Sequence, residues 1–222
     1  MLPSAGLRRI LLSAAVLLGV GTQHLQAEET RSPLVVPSGE PIPKGFKTWS
    51  LFLVCNPAWL GEDATSKTRM VTLHSAFIGF GRSLGTKNAA VWLTTATGDP
   101  TDYDADRASD FCETYGLKSN RSPYVVVSGD YPVAAGAPGD FAAIALAGLD
   151  TDNMLMLLGQ ISDRIRAAQL DRDQMGSDLY WRRWVQVLQD SVAAARQVAK
   201  AISFTVDTRF VKVEFDGKAL SE

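Results

Sequence analysis

Residues 50–63 constrain the fold more than any other stretch, because they pass from a buried strand into a loop and then into a helix start. The apolar residues 51–54 predict a central strand, Asn56-Pro57 ends it, and Asp63 opens a long amphipathic segment. In α/β proteins, binding and catalytic groups gather where the strands end. We therefore expect any chemistry of this chain at this junction.

The first 27 residues have the features of a secretory signal peptide. Arg8 and Arg9 precede an apolar run over residues 10–20, and residues 25–27 supply a small-residue cleavage site. The run is too short to span a bilayer comfortably, and no later segment approaches ~18 consecutive apolar residues. We expect an exported protein, periplasmic or secreted, with no membrane span in the mature chain.

The net charge of the mature chain limits the classes of molecule that it is suited to bind. Cleavage after residue 27 leaves 195 residues with 20 basic and 24 acidic side chains, a net charge of −4. Because an acidic chain is poorly suited to nucleic acid, we expect none as a partner. Only His74 remains of the two histidines, which weakens any histidine-rich metal site, and the sequence indicates no cofactor.

Two cysteines, Cys55 and Cys112, enter an oxidising compartment if the chain is exported. A cysteine pair in such a compartment is more often bridged than free, so a Cys55–Cys112 disulfide is one expectation. It would close a loop long enough to stabilise the fold by ~4 kcal/mol. The alternative is that Cys55 is a reactive thiol and Cys112 its resolving partner.

Apolar runs predict strands and apolar residues at helical spacing predict helices along residues 46–170. Gly85 and Gly116 indicate two of the helix ends. The predicted elements, in order, are strand 49–54, helix 65–84, strand 89–94, helix 105–115, strand 122–127, strand 141–146 and helix 153–170. The predicted apolar face of the last helix consists of Leu155, Leu158, Ile161, Ile165 and Ala168.

Two further segments flank this α/β region. Residues 28–45 contain four prolines among polar residues, which favours an extended linker, or else an ordered segment at a sheet edge. Residues 171–222 form a C-terminal extension, in which residues 179–202 have the apolar spacing of an amphipathic helix and residues 203–215 alternate like a strand or hairpin. The apolar stripe of this helix either packs on its own domain or receives a partner.

The element order β-α-β-α-β-β-α, with a proline opening the third strand, resembles the thioredoxin fold over residues 46–170. The best local match is residues 115–127, which look like the helix end, loop and cis-proline strand of thioredoxins. The resemblance implies a three-layer α/β domain, here carrying a C-terminal helix and strand extension, with a cis Ser122-Pro123 peptide bond.

Thioredoxins carry Trp-Cys-x-x-Cys at the strand-to-helix junction, where the first thiol has a lowered pKa and the second resolves the mixed disulfide. The matching stretch contains no cysteine, and Val54 stands where the resemblance places a buried acid. The residues of that stretch are Trp59, Leu60, Gly61, Glu62 and Asp63. On this alignment the chain has no dithiol site, and capping of the next helix explains the two acids.

A second alignment treats residues 55–58 as a C-x-P-x motif in which Ala58 replaces the resolving cysteine. Cys55 would then be a monothiol nucleophile. However, Cys55 directly follows the strand, and a thiol there gains little from the dipole of a later helix.

We therefore expect a non-catalytic binding or accessory module for a protein partner, with a thiol-disulfide oxidoreductase using Cys55 as the alternative. The expected binding surface combines residues 59–63, the loop at Pro123, and the tryptophans Trp181 and Trp184 of the C-terminal helix, because tryptophan is enriched at binding hot spots.

A run of acidic residues suggests a further alternative, a calcium-binding loop. Its members, spaced like the ligands of a calcium loop, are Asp102, Asp104, Asp106, Asp110 and Glu113. Arg107 occupies the position where such loops need a glycine. The other interpretation is that these acids favour a helix N-terminus, where the helix dipole stabilises negative charge.

Overall fold

A computed structural model describes residues 32–95, 102–168, 177–198, 202–206 and 210–215. The predicted signal peptide lies outside the described residues. No helix among the described residues combines the length and the apolar character needed to cross a membrane.

Helices and strands alternate along the described chain, which confirms the α/β class. In chain order they are β1 Leu34–Pro37, β2 Thr48–Leu53, α1 Ala64–Ser83, β3 Asn88–Thr94, α2 Ala105–Thr114, β4 Tyr124–Ser128, β5 Phe141–Ala145, α3 Thr151–Ala168, α4 Ser177–Val198, β6 Ile202–Val206 and β7 Phe210–Phe215. Every element predicted from the sequence is present, with ends shifted by a few residues. The positive φ values of Gly85 and Gly116 just after α1 and α2 fit their predicted role at helix ends.

The described strands form one mixed sheet of seven strands in the order β1-β3-β2-β4-β5-β7-β6. Strands β4 and β6 run against the other five. Strand β7 pairs in parallel with β5, with Phe141 opposite Phe210, so the C-terminal strands continue the same sheet. The carboxyl ends of β2 and β5 and the start of β4 therefore meet at one edge.

The core is centred on β2, β3, β4 and β5, in which every residue is buried. Burial on both faces explains why these strands read as continuous apolar runs instead of alternating patterns. Helix α1 packs on β3 and on α3, α3 packs on α4, and α2 packs against β2. These helices supply the cover that the central strands require.

Residues 34–37 of the proline-rich segment form β1, an edge strand that pairs in parallel with β3. This part of the segment is ordered, as the second of the two sequence interpretations allows. Side chains of three other elements, two of them distant in sequence, hold carbonyl groups of residues 37–43. The donor and acceptor pairs are Arg107 Nη1 to Pro37 O (3.1 Å), Arg107 Nη2 to Glu40 O (2.9 Å), Tyr131 Oη to Ile42 O (2.8 Å) and Trp49 Nε1 to Pro43 O (3.1 Å).

The predicted apolar face of α3 is wrong at Leu155, which is 45% exposed. Met154 and Leu157 are buried instead, together with three of the predicted positions, Leu158, Ile161 and Ile165. Because α3 packs on both α1 and α4, its buried face is displaced from the predicted stripe, and Leu155 lies at the rim of a groove beside α1. The side chain of Ala168 lies outside the described part of the chain.

Helix α4 is attached to the sheet through the buried side chain of Asn88. The Asn88 Oδ1 atom accepts hydrogen bonds from the hydroxyls of Thr48 and Tyr180 and from Trp184 Nε1 at 3.2 Å. Asn88 Nδ2 donates to the carbonyl of Leu84, at the end of α1, at 2.7 Å. Trp184 therefore follows the first of the two sequence interpretations and packs on its own domain, because its ring is fully buried and its N–H is bonded inside the fold.

Candidate functional site

Cys55 and Cys112 form a disulfide whose Cα atoms are 5.8 Å apart, so the predicted pairing is confirmed. Cys55 is half-buried just past the end of β2, and Cys112 is buried in α2. The bond joins the strand that enters the junction to the helix that precedes β4. Both cysteines of the chain are thus bonded to each other, and neither is a free thiol.

The end of β2 is held by two buried hydroxyl groups. Tyr103 Oη accepts from the backbone N–H of Val54 at 2.9 Å and donates to the carbonyl of Phe52 at 3.0 Å. Burial raises the pKa of Tyr103, so the hydroxyl keeps its proton and remains a donor in alkaline solution as well as at neutral pH. Ser122 Oγ accepts from the N–H of Cys55 at 2.8 Å, which ties the strand end to the loop before β4.

Side-chain caps build the turn between β2 and α1. Asn56 Oδ1 accepts from Ala58 N–H at 3.0 Å and starts a single 3-10 turn over Pro57–Trp59. Asp63 caps α1, since its Oδ1 atom accepts from the N–H groups of Thr65 and Ser66 at 2.9 and 3.0 Å. Asp63 therefore occupies the N-cap position that the sequence indicates.

Hydrogen bonds from the side chain and backbone of Ser66 hold the pKa of Asp63 below its usual value. A carboxyl group with a lowered folded-state pKa stabilises the fold fully at neutral pH, and that contribution is lost as the pH falls through the lowered value. We expect Asp63→Asn, which keeps a capping oxygen, to flatten the acid side of a plot of urea midpoint against pH. Glu62→Gln, a change at the adjacent exposed acid, is the control and should keep the wild-type slope. An unchanged slope in Asp63→Asn would contradict the assignment.

A cleft of about 540 Å³ opens at the edge of the sheet where β2 and β5 end and β4 begins. Three buried residues, Ser122, Leu146 and Met154, form its deepest part. Trp59 and Arg69 lie on the α1 side and Asp150 on the α3 side. The volume is within the range of sites that bind small ligands or short segments.

The wall on the α1 side contains a cation–π pair. The guanidinium carbon of Arg69 lies 5.6 Å from the centre of the Trp59 ring, a cation–π contact. The Trp59 backbone N–H donates to the carbonyl of Asn56 at 3.0 Å, which fixes the position of this residue. No carboxylate among the described residues forms an ion pair with Arg69.

The structure brings together only part of the predicted binding surface. Trp59 lines the cleft, whereas Leu60, Gly61 and Glu62 line a separate recess beside α1. Pro123 is buried, and its carbonyl accepts from Leu146 N–H at 2.7 Å, so it positions the base of the cleft.

The two tryptophans of α4 do not join this surface in the described structure. Trp184 is buried at Asn88, as noted above, and the side chain of Trp181 lies outside the described part of the chain.

The acidic run begins at the start of α2. Asp104 Oδ1 accepts from Arg107 N–H at 3.0 Å and caps the helix, Asp106 lies in its first turn, and Asp102 bonds to the hydroxyl of Thr95. Within the described ranges, no group of three or more histidine, cysteine, aspartate or glutamate side chains is placed to hold a metal ion.

Sequence reasoning missed Arg69, Met154 and Asp150. The sequence does contain a signal for Arg69, because residues 68, 69 and 72 lie on one side of α1 close to its start. The loop that carries Asp150 is brought to the cleft by the pairing of β5 with β4, which no local pattern reveals. Comparison with protein-family models, curated proteins and solved structures finds no match to this chain.

Proposed function

We propose that this chain is an exported thioredoxin-like domain that lacks the dithiol site and acts as a non-catalytic binding or accessory module for a protein partner. The observation that carries the proposal is the Cys55–Cys112 disulfide, which uses both sulfurs to join β2 to α2. The junction before α1, where the resemblance requires a pair of cysteines, holds residues 59–63 and an N-cap carboxylate instead.

Two features support the thioredoxin-like assignment. From β2 to α3 the elements follow the order β-α-β-α-β-β-α, and the Ser122-Pro123 peptide that leads into β4 is cis. Strand β1 precedes this unit, and α4, β6 and β7 follow it. These additions distinguish the chain from the part that the resemblance covers.

Export is supported by the disulfide together with the predicted signal peptide. Disulfides persist in oxidising compartments such as the periplasm and the extracellular space and are rare in the cytosol. A structural bridge between β2 and α2 is therefore compatible with a protein that works outside the cytosol.

Binding is supported by the cleft at the ends of β2 and β5. Ligands of α/β proteins collect at the carboxyl ends of strands, and a concave site with an apolar base and polar walls is the usual form of a binding site. Leu146 and Met154 supply the apolar base, and Asn120 and Thr72 are among the polar residues of the walls. A segment of a partner protein would meet both kinds of surface.

The test of non-catalysis is a disulfide-exchange assay with a self-quenched, disulfide-linked fluorescent peptide and dithiothreitol as the electron donor. We expect the wild-type rate to equal both the rate without protein and the rate with the Cys55→Ala/Cys112→Ala variant. A wild-type rate well above these, abolished by Cys55→Ala alone, would overturn the proposal.

The test of binding is photo-crosslinking in an extract of exported proteins, with a photoreactive phenylalanine derivative at position 59, which keeps an aromatic ring there, or, as a control, at position 133. Val133 is 39% exposed, and it does not line the cleft. We expect a discrete protein adduct from position 59 only, competed by unlabelled wild type and poorly by unlabelled Trp59→Ala. Equal adducts from both positions would argue against a specific site.

A thiol-disulfide enzyme is the second candidate, because Cys55 is half-buried and its neighbours Asn56 and Ser122 both line the cleft. In that reaction a thiolate of an external dithiol attacks Cys55 Sγ, the bond to Cys112 breaks, and Cys112 leaves as a thiolate that takes up a proton. The second thiolate of the donor then releases Cys55. The donor is oxidised by two electrons and this chain is reduced to two thiols, which the exchange assay above would detect.

A further inference from the structure

We propose that the cleft selects partner segments that carry a carboxylate side chain, and that Arg69 is the residue that receives it. The inference rests on the proposed binding function and adds the chemistry of the partner. Its starting point is an exposed arginine that lies on the wall of the cleft without an ion-pair partner among the described residues.

The guanidinium group of Arg69 is positioned to bind a carboxylate in the absence of a partner. Its guanidinium lies over the Trp59 ring, and the backbone of Trp59 is fixed by the 3-10 turn after Asn56. A cation–π contact at 5.6 Å uses the charge of the guanidinium and leaves its N–H donors available to a ligand. Those donors match the two oxygens of a carboxylate, and less entropy is lost when a held guanidinium forms the pair.

The opposite wall of the cleft favours one orientation of a bound acidic side chain. Asp150 caps α3, and its two oxygens accept from the backbone N–H and the Nδ2 atom of Asn153 at 2.8 and 2.9 Å. The carboxylate of Asp150 is thus engaged within its own helix start, and its negative charge disfavours a second carboxylate nearby. A bound acidic side chain is therefore directed towards α1, where Arg69 lies.

The residues at the base of the cleft favour an apolar residue next to the acid in the bound segment. Leu146 is 2% exposed and Met154 is 6% exposed, and both are among the residues that line the cleft. An apolar side chain next to the acid gains by leaving water, and the flexible thioether of Met154 can adjust to its shape. The recognised segment is therefore an acidic residue followed or preceded by an apolar one.

The experiment uses three blocked hexapeptides, acetyl-Gly-Ala-Asp-Leu-Ala-Gly-amide and the same peptide with asparagine or lysine in place of the aspartate. Binding to the full mature protein is followed by NMR through the indole N–H signal of Trp59. We expect the aspartate peptide to bind at least tenfold more tightly than the asparagine peptide, and the lysine peptide to bind most weakly. The preference should shrink in high salt, because exposed charges are screened.

Arg69→Gln should abolish the preference, so that the aspartate and asparagine peptides bind equally, and Arg69→Lys should retain part of it. Arg82→Gln is the matched control, because Arg82 is an exposed arginine on the same helix that does not line the cleft. Equal binding of the peptides to wild type, no shift of Trp59 with any of them, or an undiminished preference in Arg69→Gln would overturn the inference. Failure of the proposed function would show separately, as Cys55-dependent disulfide exchange.

Discussion

Replacing Asn88 with alanine is expected to lower the free energy of unfolding by about 3 kcal/mol or more. The side chain is fully buried and links β2, β3, the end of α1 and α4 through four hydrogen bonds. Alanine would leave the hydroxyls of Thr48 and Tyr180 and the N–H of Trp184 buried without this acceptor. Each buried polar group that loses its partner costs about 1–3 kcal/mol.

Urea unfolding, followed by tryptophan fluorescence, measures this effect. Asn120→Ala is the matched control, since Asn120 is exposed, and it should unfold within about 0.5 kcal/mol of wild type. A double-mutant cycle between Asn88→Ala and Tyr180→Phe should give a coupling energy above ~0.5 kcal/mol, because the two residues share a hydrogen bond. If Asn88→Ala behaved like the control, α4 would have to be held by its other contacts with α3.

Loss of the disulfide is expected to cost about 4 kcal/mol of stability, because Cys55 and Cys112 are 57 residues apart and the bond removes much of the freedom of the unfolded chain. The Cys55→Ala/Cys112→Ala variant isolates this effect without leaving buried thiols. Its urea midpoint should lie well below that of the oxidised wild type.

A reducing agent provides the internal control for the disulfide prediction. It should lower the urea midpoint of the wild type towards that of the double variant and leave the double variant unchanged. A wild type that is insensitive to reduction, with free thiols verified by alkylation and intact mass, would show that the bridge contributes little to stability.

The central part of the fold could be predicted because its signals are local. Strands β2 to β5 are apolar runs, and Gly85 and Gly116 mark the ends of α1 and α2. For residues 34–37 the sequence leaves both a linker and an ordered edge segment open, since these residues acquire their strand conformation from pairing with β3 and from Arg107, which lies 70 residues beyond Pro37. The helical spacing predicts that Leu155 is buried, and the structure differs there because two helices, not one, cover α3.

The residues of the candidate site likewise include some that local sequence signals reveal and some that they do not. Asp63 is a capping residue that the sequence reveals at short range, and the tryptophan at position 59 was singled out by the alignment with the dithiol motif. Arg69 reads in the sequence as an ordinary exposed residue of an amphipathic helix. Its significance depends on the 3-10 turn that sets the Trp59 ring beside it, and a short turn of this kind has no strong pattern.

The course of residues 37–43 depends on parts of the chain that are far apart in sequence. Their carbonyl groups are held by a helix residue, Arg107, a strand residue, Trp49, and a loop residue, Tyr131. All four hydrogen bonds exist only when helix, strand and loop are in place together, so loosening of any one of them removes part of what holds the segment. Faster proteolytic cleavage within residues 37–43 would therefore report a loosening of that helix, strand or loop, even when it begins far from the cleaved bond.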